Sequence, residues 1–174
     1  VELDGGDKLE ATDGVDTKNF GHSNFGAIHT YNTTFDRIEP GSEFNVSLTR
    51  ENEDSAPNSL AVLSKDFNVI EPDVTQVYTR SESLIITWEG EDDGDEIFIT
   101  LDGSCIIKTE ASAAFQDGSY IFGADDLRSF EADEEESCEV DVTIERRLVG
   151  TLDPNFGSGS IYGGFRKIQT INDY

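Results

Sequence analysis

The amino-acid sequence predicts an all-β domain of the antiparallel β-sandwich class that is held by one disulfide. Apolar residues recur at every second position along most of the 174-residue chain, which is the period of a half-buried strand. These runs are short and are separated by turns rich in Gly, Asp and Asn, a pattern typical of sandwiches. Two cysteines, each at the start of such a run, complete the prediction.

Strands are expected wherever the alternation is clear. The Asp93-Gly94 dipeptide predicts a tight hairpin, because both residues tolerate positive φ. The stretch 123–130 has the pattern of a short helical turn. The predicted strands are 27–35, 44–48, 60–62, 67–70, 83–88, 97–101, 105–109, 120–122, 138–144 and 165–171.

The domain organisation follows from composition. Residues 1–25 are rich in Gly, Asp and Asn and hold few apolar residues, so they predict an irregular polar N-terminal segment. Residues 26–174 contain no internal repeat that would divide them. They are therefore predicted to form a single β-sandwich domain.

The two cysteines indicate the compartment. Cys105 and Cys138 each begin an alternating run, so both sulfurs are expected on the core face, Cys105 together with Ile107 and Cys138 together with Val140. A bridge between them would close a large loop and contribute about 3 to 4 kcal/mol. The alternative is two buried free thiols. The disulfide predicts a secreted, periplasmic or extracellular surface location.

Charge excludes some partners and favours others. Asp and Glu number 37 against 12 Lys and Arg, so the formal net charge is -25. This field repels nucleic acids and anionic membranes and attracts metal cations or basic protein surfaces. The alternative is that the acids only keep the chain soluble. No apolar stretch approaches the roughly 20 residues of a membrane span, so a spanning protein is not expected.

One acidic turn predicts a calcium site as its functional interpretation. Hard cations prefer carboxylate and carbonyl oxygens on loops, and a solvated turn is the structural alternative. The turn is not an EF-hand, because Thr100 stands where the bidentate Glu would be. A second acidic run covers 133–136. The predicted ligands in the turn are Glu91, Asp92, Asp93 and Asp95.

Other candidate side chains are few. Tyr162 and Phe165 end the Gly/Ser-rich stretch 153–165, which is predicted to be a ligand-recognition loop. Trp88 continues a core-forming alternation and is expected inside. His29 falls in a predicted strand and His22 in a loop. No hydrolase, metalloprotease or phosphate-loop pattern occurs, so an enzyme is not expected.

A resemblance covers residues from about 75 to 150. Here the sequence resembles the immunoglobulin-like β-sandwich domains of secreted proteins and lipoproteins of Gram-negative bacteria. It departs from true immunoglobulin domains in that Trp88 precedes both cysteines. The resemblance implies an exported sandwich and leaves function open. It is carried by the residues 83–88, 97–101, Cys105, 118–122, 124–127 and Cys138.

Three functions are compatible with these patterns. The first is a non-catalytic extracellular or cell-surface protein with a structural, adhesive or assembly role, in which the segment 1–25 docks on a neighbour as an added strand. The second is a calcium-dependent module that binds carbohydrate or another ligand. The third is a hydrolase that uses two carboxylates. The expected partner is accordingly a protein, including a second copy, or a carbohydrate.

Overall fold

The computed structural model describes residues 3, 5–37, 39–124, 126–128 and 137–173, and in this part of the chain the fold is all-β. Two short 3-10 helices, Phe115–Asp117 and Pro154–Phe156, accompany the strands. The acidic run 133–136 lies outside the described residues, as does part of the predicted turn 123–130. The strands are β1 (Lys8–Thr12), β2 (Thr17–Asn19), β3 (Gly21–Phe25), β4 (Ile28–Asn32), β5 (Glu43–Thr49), β6 (Ala56–Val62), β7 (Asn68–Glu71), β8 (Val77–Tyr78), β9 (Leu84–Glu89), β10 (Glu96–Gly103), β11 (Ile106–Ala114), β12 (Ser119–Phe122), β13 (Cys138–Val149) and β14 (Tyr162–Asp173).

The chain forms two compact units. Unit 1 comprises the described residues within 1–63 and 148–163, and unit 2 comprises those within 64–147 and 164–174. This division differs from the predicted boundary after residue 25. The N-terminal segment is also not irregular, because β1, β2 and β3 lie in it. Its strands escape a pattern search because most of their side chains are exposed or half-buried and polar.

Unit 1 is built on a four-stranded antiparallel sheet with the order β2-β1-β5-β6, and β3 and β4 form a separate two-stranded sheet. Its described buried apolar side chains are few, and most of them are alanines. Polar groups supply part of the cohesion: the carboxylate of Asp153 accepts the amides of Asn58 and Asn155, each at 3.0 Å. The buried apolar residues described in this unit are Ala11, Leu48, Ala56 and Ala61.

Unit 2 contains two sheets that share one apolar core. The first has the order β11-β10-β13-β14-β8 and the second the order β12-β9-β7. The first sheet is mixed, because β8 runs parallel to β14 while β10 is antiparallel to its neighbours. The buried core residues are Phe67, Leu84, Ile86, Trp88, Ile97, Ile99, Leu101, Cys105, Ile106, Phe115, Phe122, Leu127, Val140, Val142, Ile144 and Ile171.

The disulfide prediction is confirmed, and Trp88 is in the core as expected. Cys105 and Cys138 are bonded, with their Cα atoms 5.8 Å apart. Trp88 is buried, and its Nε1 donates a hydrogen bond to the Phe115 carbonyl at 2.8 Å. The predicted phase after Cys105 is wrong, since Ile107 is 45% exposed. Cys105 belongs to the turn before β11, and this turn shifts the alternation by one residue.

The Asp93-Gly94 dipeptide forms a turn but not a hairpin. Gly94 has a φ of 78°, the left-handed conformation that glycine favours. However, β9 pairs with β7 and β12, while β10 pairs with β11 and β13. The turn therefore connects the two sheets of unit 2.

None of the described elements is a helix with the length and hydropathy of a membrane span.

Candidate functional site

The β3–β4 hairpin of unit 1 has little of its surface covered. Every residue of β3 is exposed, and β4 alternates between exposed and half-buried residues. Phe25 pairs with Ile28, which leaves Gly26 and Ala27 as a two-residue loop. Gly26 has a φ of 61°, which suits the tight turns that close two-residue hairpins. A two-stranded hairpin alone is only marginally stable in water, so an additional binding surface would stabilise it.

One face of this hairpin is apolar at the tip and uncharged. Successive side chains of a strand alternate between faces, so Ser23 and Phe25 share one face with their partners Thr30 and Ile28. Phe25 is 86% exposed and Ile28 is 64% exposed. Ser23 Oγ and Thr30 Oγ1 lie 2.7 Å apart and form a cross-strand hydrogen bond. The result is an exposed apolar pair bordered by hydroxyl groups.

The opposite face carries two histidines. His22 Nε2 lies 3.0 Å from His29 Nδ1, and the two rings are nearly parallel. The ring of His22 also stacks on Tyr31, with the centroids 4.8 Å apart. The Tyr31 hydroxyl accepts a hydrogen bond from the amide of Leu3 at 3.1 Å. Tyr31 thus anchors this face to the chain that precedes β1.

The hairpin lies in an acid-free part of a very acidic chain. Residues 17–35 contain no Asp or Glu, although the whole chain has 37. The single Lys or Arg among them is Lys18, whose Nζ donates to the Thr34 carbonyl at 2.6 Å. The hairpin therefore presents a neutral surface on a chain whose formal net charge is -25.

A second acid-free stretch, 154–172, differs because its cations are paired within unit 2. Arg166 Nε donates to Glu145 Oε1 at 2.6 Å, and Lys167 Nζ lies 2.7 Å from Asp66 Oδ1. The hydrogen bond from Lys167 lowers the pKa of Asp66 below its usual range. These positive charges are therefore paired with acids of the same unit.

The pKa of Glu145 reflects the same pairing. Burial alone would raise this pKa, but hydrogen bonds from Arg147 and Arg166 outweigh burial and hold it below the usual range. The guanidinium of Arg147 also lies 3.9 Å from the centre of the Phe98 ring. The carboxylate is therefore held ionised as a structural partner, whereas a general acid needs a raised pKa.

The acidic turn predicted as a calcium loop is organised by a lysine. Lys65 Nζ lies 2.7 Å from Glu91 Oε2 and 3.0 Å from Asp93 Oδ1, and these hydrogen bonds raise the pKa of Lys65. Asp92 Oδ1 accepts the amide of Gly94 at 2.9 Å. Because an ammonium group already lies among these carboxylates, calcium binding here stays a prediction that the geometry does not favour.

The fourth predicted ligand, Asp95, faces the core of unit 2. Its Oδ2 accepts a hydrogen bond from Arg146 Nε at 2.5 Å, and both side chains are fully buried. Arg146 also donates to the carbonyl of Glu91 at 2.6 Å and lies 3.7 Å from the Phe115 ring centre. Asp95 is therefore separated from solvent-borne ions. Across the described residues, no three His, Cys, Asp or Glu side chains gather as a metal-ligand group.

Sequence reasoning missed this buried pair, although the signal was present. Val140, Val142 and Ile144 alternate inward, and the same phase continues to Arg146. Asp95 likewise precedes the inward Ile97 by two residues and is buried. The inward-facing positions that lead into β10 begin with an acid, and those of the neighbouring β13 reach an Arg near its end. Because the two strands are antiparallel, both charges lie at the same end of the sheet, and the pattern indicates a buried ion pair.

The two aromatic residues of the predicted recognition loop belong to different units of the chain. Tyr162 is 47% exposed in unit 1, and Phe165 packs half-buried against the core of unit 2. Glycine between them serves close packing: a Cβ on Gly163 would clash with the Val62 carbonyl, and one on Gly164 with the Arg146 carbonyl. The two glycines thus allow the backbone of this stretch to lie close to the neighbouring strands. Sugar binding by Tyr162 and Phe165 stays a prediction.

Comparison with known proteins gave no relative: no protein-family model, curated protein or solved structure matches the chain.

Proposed function

We propose that the chain is a non-catalytic assembly module of an extracellular or cell-surface protein, and that it associates with a second copy through the β3–β4 hairpin. The observation that carries this proposal is the exposed pair Phe25 and Ile28 on an acid-free hairpin. Exposed apolar residues that lie together are typical of interaction sites, whereas single ones need no explanation.

Charge supports a second copy as the occupant. Two chains that each carry a net charge of -25 repel one another over most of their surfaces. The acid-free residues 17–35 are a place where two copies can meet without bringing carboxylates together. A pair such as Phe25 and Ile28 is also suited to a two-fold interface, in which the same patch faces itself.

The backbone offers a second attractive term. The sheet formed by β3 and β4 has no third strand in the described residues, so both of its outer edges have unpaired backbone groups. Edge pairing between two hairpins would make an intermolecular four-stranded sheet. Within the segment 1–25, β1 already pairs on both sides with β2 and β5, whereas β2 and β3 each have an open edge. We choose β3 for this docking because it is the longer of the two and carries Phe25.

An extracellular setting rests on the disulfide. Bonds such as Cys105–Cys138 persist in oxidising compartments and are rare in the cytosol of mesophiles. The non-catalytic part of the proposal is supported by Glu145 and Asp95, because each of these carboxylates is already paired with an arginine.

We also propose that unit 2 is an immunoglobulin-like sandwich. Apart from the short edge strand β8, its strand orders, β12-β9-β7 and β11-β10-β13-β14, correspond to the E-B-A and C′-C-F-G orders of that class. The disulfide departs from the class, because Cys105 follows β10 instead of lying on the strand lettered B. A crystal structure of the full chain would test this strand order.

Sedimentation velocity over a range of protein concentrations tests the assembly. We expect reversible dimers, and more of them at higher sodium chloride concentration, because salt screens the repulsion between the acidic surfaces. Replacing Phe25 and Ile28 together with Ser should leave a monomer under every condition. The matched control is Val15→Ser, since Val15 is 82% exposed in unit 1 but lies outside the hairpin.

Two results would overturn the proposal. One is a wild-type chain that stays monomeric at all concentrations and salt levels. The other is a double Ser variant that associates as strongly as the wild type, which would place the contact elsewhere on the chain.

A further inference from the structure

We propose that His22 and His29 form a bidentate binding site for a divalent ion of the zinc, nickel and copper group. The site is on the face of the hairpin opposite Phe25 and Ile28. It requires only the folded hairpin of one chain, so it does not depend on the proposed association.

The geometry fits two ligands of one ion. Imidazole nitrogens bind such ions at about 2.0–2.1 Å, so two of them in neighbouring coordination positions lie about 2.9–3.4 Å apart. His22 Nε2 and His29 Nδ1 are 3.0 Å apart across the two strands. This contact is a hydrogen bond between the two rings, so one ring must change tautomer and turn before both nitrogens present a lone pair to one ion.

The hairpin register holds the two rings in place. His22 pairs with Tyr31 and His29 pairs with Asn24, so the two histidines are diagonal neighbours on one face. Tyr31 stacks on His22 and is itself tied to the Leu3 amide, which restricts the His22 ring. Two ligands that are already held close together lose less freedom on binding than two mobile side chains.

The chemistry selects the class of ion. Imidazole suits zinc, copper and nickel, whereas calcium and magnesium need several oxygen ligands. The residues 17–35 supply no carboxylate, so the hard cations that the acidic chain attracts elsewhere have no anionic ligand from this segment. With two protein ligands, the remaining coordination positions are left to water.

Isothermal titration of the full chain with zinc chloride tests the site. The buffer should contain millimolar calcium, which occupies the weak sites that 37 acids create without competing for imidazole. We expect one zinc ion per hairpin. Each of the variants His22→Asn and His29→Asn should weaken binding by at least about tenfold, because loss of a ligand should cost no less than loss of a group that orients one. The variant Val15→Ser is the matched control outside the hairpin and should bind zinc as the wild type does.

Three outcomes would overturn the site. Unchanged zinc affinity in both Asn variants would show that the histidines are not ligands. Displacement of zinc by calcium would assign the binding to carboxylates. Loss of zinc binding in Phe25→Ser would place the ion at the interface between copies. A protein that stays monomeric and still loses zinc in the Asn variants would retain this site while contradicting the assembly.

Discussion

The two units of the chain are stabilised in different ways. Unit 2 buries sixteen core residues between two sheets and adds a disulfide and a buried ion pair. In the described part of unit 1, the buried apolar residues are three alanines and Leu48. Hydrogen bonds to groups such as the carboxylate of Asp153 supply part of the remaining cohesion.

The difference indicates that unit 2 supplies most of the stability, whereas unit 1 carries the surface proposed for interaction. A large apolar core makes a region resistant to local opening, whereas a region with few buried contacts opens at low cost. The exposed hairpin belongs to the unit with the smaller core, so a partner that covers Phe25 and Ile28 would add burial where the chain has least. Unit 2 already buries a large apolar core and would gain less stability from such a partner.

The largest expected effect comes from breaking the buried ion pair of unit 2. Arg146→Met leaves the Asp95 carboxylate buried without its partner, so we expect a loss of about 3–5 kcal/mol in the free energy of unfolding. Urea denaturation measures the loss, and hydrogen exchange of β10 and β13 locates it. Hydrogen exchange of the hairpin amides should not change.

A double variant sharpens that test. Asp95→Leu combined with Arg146→Met replaces both charges with apolar groups and should recover most of the lost stability, because no buried charge remains. Lys65→Met is the surface control, since Lys65 forms only exposed pairs, and it should have little effect. A single variant as stable as the wild type would contradict the importance of the buried pair.

A slightly smaller effect is expected from removing the disulfide. Replacing Cys105 and Cys138 with Ser frees a loop with a sequence separation of 33 residues. The unfolded state gains entropy, and we expect a loss of about 3 to 4 kcal/mol. Urea denaturation, with hydrogen exchange of both units, checks the size and the place of the effect. Equal loss of protection in β1 and β5 would contradict the separation of the two units.

The smallest effect expected is a loss of stability in acid. The folded-state pKa values of Asp66 and Glu145 are lowered, so their contribution is present above the unfolded values near about 4 and is lost as pH falls through the folded values. Acid titration followed by circular dichroism measures this loss. In Lys167→Ala the acid-dependent loss should be smaller, because the hydrogen bond that chiefly lowers the Asp66 pKa is gone. An unchanged acid profile would contradict this assignment.

The sequence predicts most of unit 2 because its strands are half-buried. Leu84, Ile86 and Trp88 alternate as the core requires. The disulfide was predicted from two cysteines next to such runs, although Cys105 lies in the turn before its strand. The phase after Cys105 was wrong because a turn residue does not follow the strand period. The pairing of Asp95 with Arg146 depends on the register between distant strands, which composition does not contain.

The candidate site was harder to predict. The hairpin carries few apolar residues, and both of its faces are largely in solvent, so β3 lacks the alternation that marks a buried strand. Its recognition depends on Gly26, whose two-residue loop brings His22 close to His29. A histidine spacing of seven residues has no meaning in sequence until that loop is known.

The position of Trp88 has an optical consequence. It is the single tryptophan of the chain and is 3% exposed in the core of unit 2. Its fluorescence should therefore be blue-shifted in the native protein and move to longer wavelength only when unit 2 opens. Tyrosines lie in both units, for example Tyr31 in unit 1 and Tyr120 in unit 2, so tyrosine emission does not distinguish them. Excitation at the red edge, where only tryptophan absorbs, therefore reports the melting of unit 2 alone.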